Sequence, residues 1–342
     1  MSRRKNRIAI LSPVAWRTPP RHYGAWETVA GNLCEGLVDR GWDVTLFATA
    51  DSQTAAKLEA VVERGYEEDE GLDAKVSEYL HLSNCFELAD RFDLIHSHYD
   101  FMALAYSRLV STPMVTTIHG FSSSRIMPMY WKYREGNFVS ISESDRCADL
   151  NYLGTVYNGI DCRLYPFQER AGEDLIFLGR IHPDKGLHLA IQVAKKVGKR
   201  LLIGGVIQDR HYFEHQISPH LDGTQIIFLG PLGVAEKNQL FAGACGLLHL
   251  NTIPERFGLV LAEANCAGVP VIAMDLGSCR EVILDNETGF LVRSVSEAAD
   301  AVARLHLLDR TACRLRVERL FSIQSMVCGY EEIYRTILQD VR

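Results

Sequence analysis

The sequence has no long apolar run, no Cys-x-x-Cys pair, no surplus of basic residues and no Gly-x-Gly-x-x-Gly behind its first strand. Each absence removes a class of protein. The start, Arg3-Arg4-Lys5-Asn6-Arg7, is basic, yet the apolar segment after it holds only about seven residues, too few for a signal core or a membrane span. A cytoplasmic protein is expected. The nine cysteines are odd in number and scattered, which suits reduced, mostly buried thiols rather than a disulfide frame or a zinc site. A net charge of −7 argues against nucleic acid as a partner, because no excess of cations is available to displace counterions from a phosphate backbone. The missing glycine fingerprint weakens a dinucleotide-binding reading. What remains is an ordinary globular composition, 47% hydrophobic and 23% charged, in 342 residues, long enough for two domains with separate cores.

The pattern of what is present reads as α/β. Ile8-Ala9-Ile10-Leu11 is a buried strand, followed by a loop rich in proline and aromatic residues, a helix over residues 25–40 and a second strand over 42–50. A βαβ opening implies a parallel sheet. Residues 52–91 read as acidic helical segments, and 92–98, 114–119 and 138–141 as further short strands. Each of these ends in polar residues, and open α/β sheets place ligands at that edge. His96 and His98 share one face of a strand, so chelation is geometrically allowed. No third ligand stands at a suitable spacing, and a structural role is the expectation. His119 closes the run Val115-Thr116-Thr117-Ile118, and Gly120 behind it lets another group come close. The stretch 121–134, rich in Ser, Arg, Met, Tyr and Trp, reads as a loop that either shapes a binding site or packs on the first loop. Val156-Tyr157-Asn158-Gly159-Ile160-Asp161 is a turn signal, and the domain junction is expected between Asp161 and Gly172.

The second half restarts the alternation. A strand over 174–179 leads through Arg180-Ile181-His182-Pro183-Asp184-Lys185-Gly186 into a helix over 187–197. A lysine at a helix N-terminus adds positive charge to the positive end of the macrodipole, an arrangement that makes sense where an anion sits. Arg180, Lys185 and the helix N–H groups together would hold a diphosphate and stabilise charge growing on it as a bond breaks. Leu201-Leu202-Ile203 runs into Gly204-Gly205, where the backbone can be approached closely. A strand over 225–230 and a helix over 236–242 follow. A short strand over 246–250 then ends in a loop carrying Glu255, and an apolar helix over 258–267 is closed by Gly268 and Pro270. That helix is apolar almost all round and should be buried, so Glu263 within it needs a partner, either ligand hydroxyls or a basic neighbour. Residues 274–281 form a glycine-bearing loop ending in Glu281. Ser296 is expected to cap a helix running to residue 308, another runs from Thr311, and residues 326–334 carry apolar side chains at helical spacing.

Glu255 and Glu263, with Arg256-Phe257-Gly258-Leu259 between them, resemble the signature of retaining glycosyltransferases of the family 4 type, whose fold is GT-B. Gly179-Arg180 and Lys185-Gly186 match the family's Gly-Arg-x(4)-Lys-Gly motif. Tyr23-Gly24-Ala25-Trp26-Glu27 resembles its Gly-Gly-x-Glu loop, with Ala25 where a second glycine is common. The resemblance implies two Rossmann-like, doubly wound α/β domains facing across a cleft: residues 1–165 on the acceptor side, 166–322 binding the donor, and 323–342 crossing back to the first domain. It implies that Arg180 and Lys185 assist departure of the nucleoside diphosphate. Glu255 and His119 position the donor sugar, Glu263 holds the ribose, and Gly24, Gly205, Phe257, Gly258 and Leu259 complete the nucleotide-sugar site. No metal and no cofactor are implied beyond a nucleoside-diphosphate sugar as donor substrate. No residue stands out as a covalent nucleophile. Acceptor attack on the face of the leaving group, whose oxygen takes the proton, is the expected course. The chain also resembles glycosyltransferases of orthosomycin antibiotic biosynthesis. Size and acidic charge favour a small-molecule or oligosaccharide acceptor over a lipid, while the basic start leaves membrane contact open. The other readings are a nucleotide-sugar epimerase of the same fold and a non-catalytic nucleotide-sugar-binding protein. A phosphorylase would need a pyridoxal phosphate lysine motif, which is absent.

Overall fold

Short apolar strands buried on both faces need helices above and below them, and the chain supplies these in most of its strand-to-strand connections. A computed structural model describes residues 6–121 and 123–340; Arg3, Arg4 and Lys5 of the basic start lie outside the described residues. In chain order the first elements are β1 (Arg7–Leu11), α1 (Ala25–Asp39), β2 (Asp43–Phe47), β3 (Lys57–Glu59) and α2 (Ala74–Glu87). Next come β4 (Leu94–Ser97), β5 (Met114–Ile118), α3 (Met127–Lys132), β6 (Asn137–Ser140) and β7 (Tyr152–Thr155). All seven strands pair in parallel in the order β3-β2-β1-β4-β5-β6-β7. Chain order therefore reverses between β1 and β4. The core on one side of this sheet includes Leu11, Phe47, Ile95, Tyr130 and Phe138, all fully buried.

The second set begins with β8 (Asp174–Leu178), α4 (Leu187–Val197), β9 (Leu201–Gly204), α5 (Arg210–Tyr212), β10 (Ile226–Gly230) and α6 (Val234–Gly243). It continues with β11 (Ala244–His249), α7 (Leu259–Cys266), β12 (Val271–Met274), α8 (Cys279–Val282), β13 (Gly289–Val292), α9 (Val295–Arg304) and α10 (Arg310–Leu320). These six strands are parallel in the order β10-β9-β8-β11-β12-β13, so this sheet reverses between β8 and β11. The last helix is α11 (Ile323–Asp340).

The chain forms two units, one running through Gly159 and including α11, the other Ile160–Ser322. Helix α11 packs against α1. It is fixed by Glu331, which accepts from Arg40 Nε and Nη2 at 2.8 Å each and from Trp42 Nε1 at 2.9 Å. The two ends of the other unit meet in one parallel rung, with Ile160 N donating to Phe321 O at 2.6 Å.

Several local expectations change. The cap of α9 is Ser294, whose hydroxyl accepts from Glu297 N, rather than Ser296, because the turn begins two residues earlier. Within the stretch expected to be a loop, Ser124–Ile126 and Met127–Lys132 are helical, as a 3-10 turn running into α3. Edge strand β3 interrupts what reads as helical between residues 52 and 91; its Lys57 is exposed and its other two residues half-buried, so it lacks an apolar strand's signature. All nine cysteines are free, with Cys328 exposed. Among the described residues no helix is long and apolar enough to cross a membrane.

Candidate active site

In an open parallel sheet the loops leaving the two strands that flank the reversal diverge and leave a crevice. In the second unit these loops follow β8 and β11. The loop after β8 turns at Pro183–Lys185 and ends in Gly186, at φ 66°. A Cβ on Gly186 would lie 1.7 Å from the Leu250 carbonyl oxygen, so only glycine lets this turn seat against the end of β11. Thr252 N donates to Asp184 O at 2.8 Å and holds the two loops together.

That seating brings Lys185 Nζ to 2.6 Å from Glu255 Oε2. The same oxygen lies 2.8 Å from His249 Nε2, and Glu255 Oε1 accepts from Arg256 N at 3.1 Å. A carboxylate only accepts, so His249 carries its proton on Nε2. Glu255 and His249 are both buried. Burial alone would raise the Glu255 carboxyl, but the hydrogen bond from His249 and the charge of Lys185 outweigh it and hold the group well below the usual carboxylate range. The backbone of Glu255 is fixed from the other side: Ser278 N donates to its carbonyl at 3.0 Å, and a Cβ on Gly277 would sit 2.3 Å from that oxygen.

Glu263, on α7, forms a separate pair. Its Oε2 lies 2.7 Å from Lys237 Nζ on α6, so the buried acid has a basic neighbour as partner within the chain. The Lys237 ammonium also sits 5.7 Å from the centre of the Tyr165 ring. Burial, and then the charge of Glu263, push the Tyr165 hydroxyl far up, so it stays protonated. Arg180 is not part of the Lys185 cluster; its Nη1 donates to Gln208 Oε1. Gly205, at φ 155°, meets another backbone within its own unit, since a Cβ there would lie 1.7 Å from Gly179 O. Phe257 turns its ring into the core, edge-on to Phe321 at 5.6 Å, and can offer a ligand only its backbone. Gly258 at φ 80° starts α7, and Leu259 is its first residue, where helical N–H groups have no partner within the helix.

In the first unit, Gly24 at φ 146° caps α1, and Trp26 in its first turn stacks on His119 at 5.5 Å and 19°. His119 Nε2 lies 3.0 Å from His98 Nδ1, and the His98 ring lies 4.3 Å from that of His96. Burial pushes both His96 and His119 down to about 3, and His98 well below its ordinary value, so all three are neutral near pH 7. His96 uses both nitrogens, 2.6 Å from the Tyr334 hydroxyl and 2.7 Å from Thr117 Oγ1. It therefore ties α11 to the sheet and has no lone pair left for a metal. Among the described residues no group of three His, Cys, Asp or Glu could hold a metal ion. A cavity of about 240 Å³ in this unit lies at the opposite edge of β5 and β6, around Pro113 and Asn137.

Sequence reasoning missed His249, Lys237, Gln208, Trp26 and the link from His98 to His119. His249 had a signal, a polar residue at the end of the apolar run Gly246-Leu247-Leu248. The others pair across 21 to 28 residues or more, and no local pattern announces them.

Two doubly wound parallel sheets in one chain, with charged clusters at strand ends, define a GT-B architecture. The family described as Glycosyltransferase Family 4 matches residues 26–163, and Glycosyl transferases group 1 matches residues 168–316. A glycogen synthase of Mycobacterium tuberculosis is 27% identical, over 71% of this chain and 69% of its own. Among solved structures, AviGT4, a glycosyltransferase involved in avilamycin A biosynthesis, superposes with a TM-score of 0.72 at 20% identity, covering 98% of each chain. Alr3699/HepE of Anabaena, solved with UDP and glucose, gives 0.76 at 18% identity, covering 97% of this chain and all of that one. The chain belongs to the group 1, family 4 glycosyltransferases, and it is an enzyme of that class.

Proposed function

We propose that the chain is a retaining, metal-independent glycosyltransferase. It moves a sugar from a nucleoside-diphosphate sugar to a hydroxyl of a small, oligosaccharide or natural-product acceptor in the cytoplasm. The observation that carries this reading is the convergence of Lys185, His249 and Glu255 on the strand ends that flank the reversal of the second sheet. An ammonium beside a buried carboxylate, at the mouth of such a crevice, suits a ligand that is anionic at one end and hydroxylated at the other.

On this reading Lys185 and Arg180 meet the diphosphate and offset the charge that develops as the glycosidic bond breaks. Glu255, held ionised, accepts hydrogen bonds from sugar hydroxyls. Glu263, paired with Lys237, accepts from the ribose hydroxyls, while the backbone of Gly205, Phe257, Gly258 and Leu259 lines the nucleotide sugar. Glu255 already takes three donors, which leaves it a weak nucleophile and supports acceptor attack on the leaving-group face, the departing phosphate oxygen taking the proton. UDP is the first nucleotide to try, since the Anabaena neighbour is described with it. The avilamycin neighbour makes antibiotic-type saccharides the first acceptors to offer.

The test is thermal shift with UDP, GDP, dTDP and ADP, followed by mass spectrometry of donor and acceptor mixtures. Lys185→Ala is expected to lower transfer by about 100-fold or more while the protein stays folded. Unchanged turnover removes Lys185 from the site. A donor isomerised without any acceptor product identifies an epimerase instead.

A further inference from the structure

One oxygen of Glu255 serves two donors at once, Lys185 Nζ at 2.6 Å and His249 Nε2 at 2.8 Å. They differ in freedom. Lys185 ends a four-carbon stem on a surface turn and is 18% exposed, whereas His249 is the last residue of β11 and is 4% exposed. The lysine can swing and the imidazole cannot. A diphosphate arriving at Lys185 must draw the ammonium partly or wholly away from the carboxylate. That exchange would be strongly unfavourable if it stranded a buried carboxylate with no other side-chain partner.

We propose that His249 is a positioning residue: it keeps Glu255 bonded and in place while Lys185 turns to the diphosphate, and so sets the affinity for diphosphates. This rests on the reading of Lys185 given above. No bond is made or broken in the exchange. The proton stays on His249 Nε2, and Arg256 N continues to hold the second carboxylate oxygen. Without His249 the Oε2 oxygen would depend on Lys185 alone, and the lysine would be withheld from the ligand.

The experiment is calorimetric titration of the full chain with UDP and with UMP, or with GDP and GMP if guanine is the preferred base. His249→Phe is expected to weaken the diphosphate by about tenfold or more and the monophosphate by less than about twofold. His249→Gln, which keeps an N–H donor of similar reach, should restore the wild-type ratio. In a Lys185→Met background the His249→Phe change should add nothing. If His249→Phe does not fold, His249→Asn, too short to reach the carboxylate, carries the same expectation. Equal weakening of both nucleotides, or a loss that persists without Lys185, overturns the inference, because a packing role would produce either. A His249→Phe protein that keeps the full diphosphate preference overturns it alone. A wild-type protein with no preference for diphosphates overturns the reading of Lys185 and this inference with it.

Discussion

Two kinds of buried titratable side chain in the first unit pull stability in opposite directions with pH. His81 is fully buried, its Nε2 donating to Ser12 O at 2.9 Å, and burial pushes it down to about 4. The unfolded chain takes up a proton on such a histidine below about pH 6.5 and the folded chain does not, so stability falls by about 1.4 kcal/mol per pH unit per group from there toward the folded value. Urea unfolding between pH 7 and pH 5 should show this slope, and His81→Gln should remove one group's share of it. Glu27 has the other sign. Burial raises its carboxyl to about 7, against weaker help from the backbone N–H groups of Glu27 and Trp16. The folded state then binds the extra proton, and stability is lost as pH rises from about 4.5 through 7. Glu27→Gln is expected to stabilise the protein by about 2–3 kcal/mol at pH 8 and by under about 1 kcal/mol at pH 5, read from urea midpoints. A gain that does not depend on pH would mean that charge burial is not its source.

Two elements depend on a few side chains for their placement. Helix α11 is held to α1 and β2 through Glu331 and to the sheet through Tyr334. Arg40 is 44% exposed, so the pair is partly screened, and Glu331→Ala should cost only about 1–2 kcal/mol. Its stronger mark should be faster amide exchange confined to α11. The turn Pro183–Lys185 is more demanding, because Gly186→Ala would push a methyl group into the Leu250 carbonyl and displace Lys185. Transfer is expected to drop by about 100-fold, since a displacement of about 1 Å is enough for that, with only modest loss of stability. How much could be read from sequence follows the same lines. Helix α4 and the lysine before it are written locally, in an apolar period behind Gly186, and were legible. The partner of that lysine stands 70 residues away, and the acid's second partner is a histidine inside an apolar strand. The meeting of Lys185 with Glu255 follows from strand order, which no local pattern encodes, whereas His249 lies only six residues from the acid and was hidden by its place at the end of an apolar strand. Edge strand β3 was hidden for another reason, being half-buried to exposed where central strands are apolar on both faces.

At the level of the whole molecule the alternation of strand and helix was legible, and so was the parallel sheet that such alternation requires. The reversal points, between β1 and β4 and between β8 and β11, were not. They decide which loops sit side by side, and the second gathers Lys185, His249 and Glu255. The unit Ile160–Ser322 has its own sheet and its own buried core, including Phe177, Ile191, Ile203 and Ile272. Expressed alone, residues 160–322 are expected to unfold in one cooperative urea transition and to keep nucleoside-diphosphate affinity within about tenfold of the full chain. A broad, non-cooperative transition would show that this core needs the rest of the chain. Because Ile160 bridges to Ser322 and its N–H bonds Phe321 O, the two ends of the second unit lie side by side, and the chain enters and leaves that unit almost at one spot. On the reading proposed above, a unit inserted in this way is removable like a cartridge: two adjacent splices would let a relative's unit replace it, and donor preference would travel with the exchanged piece.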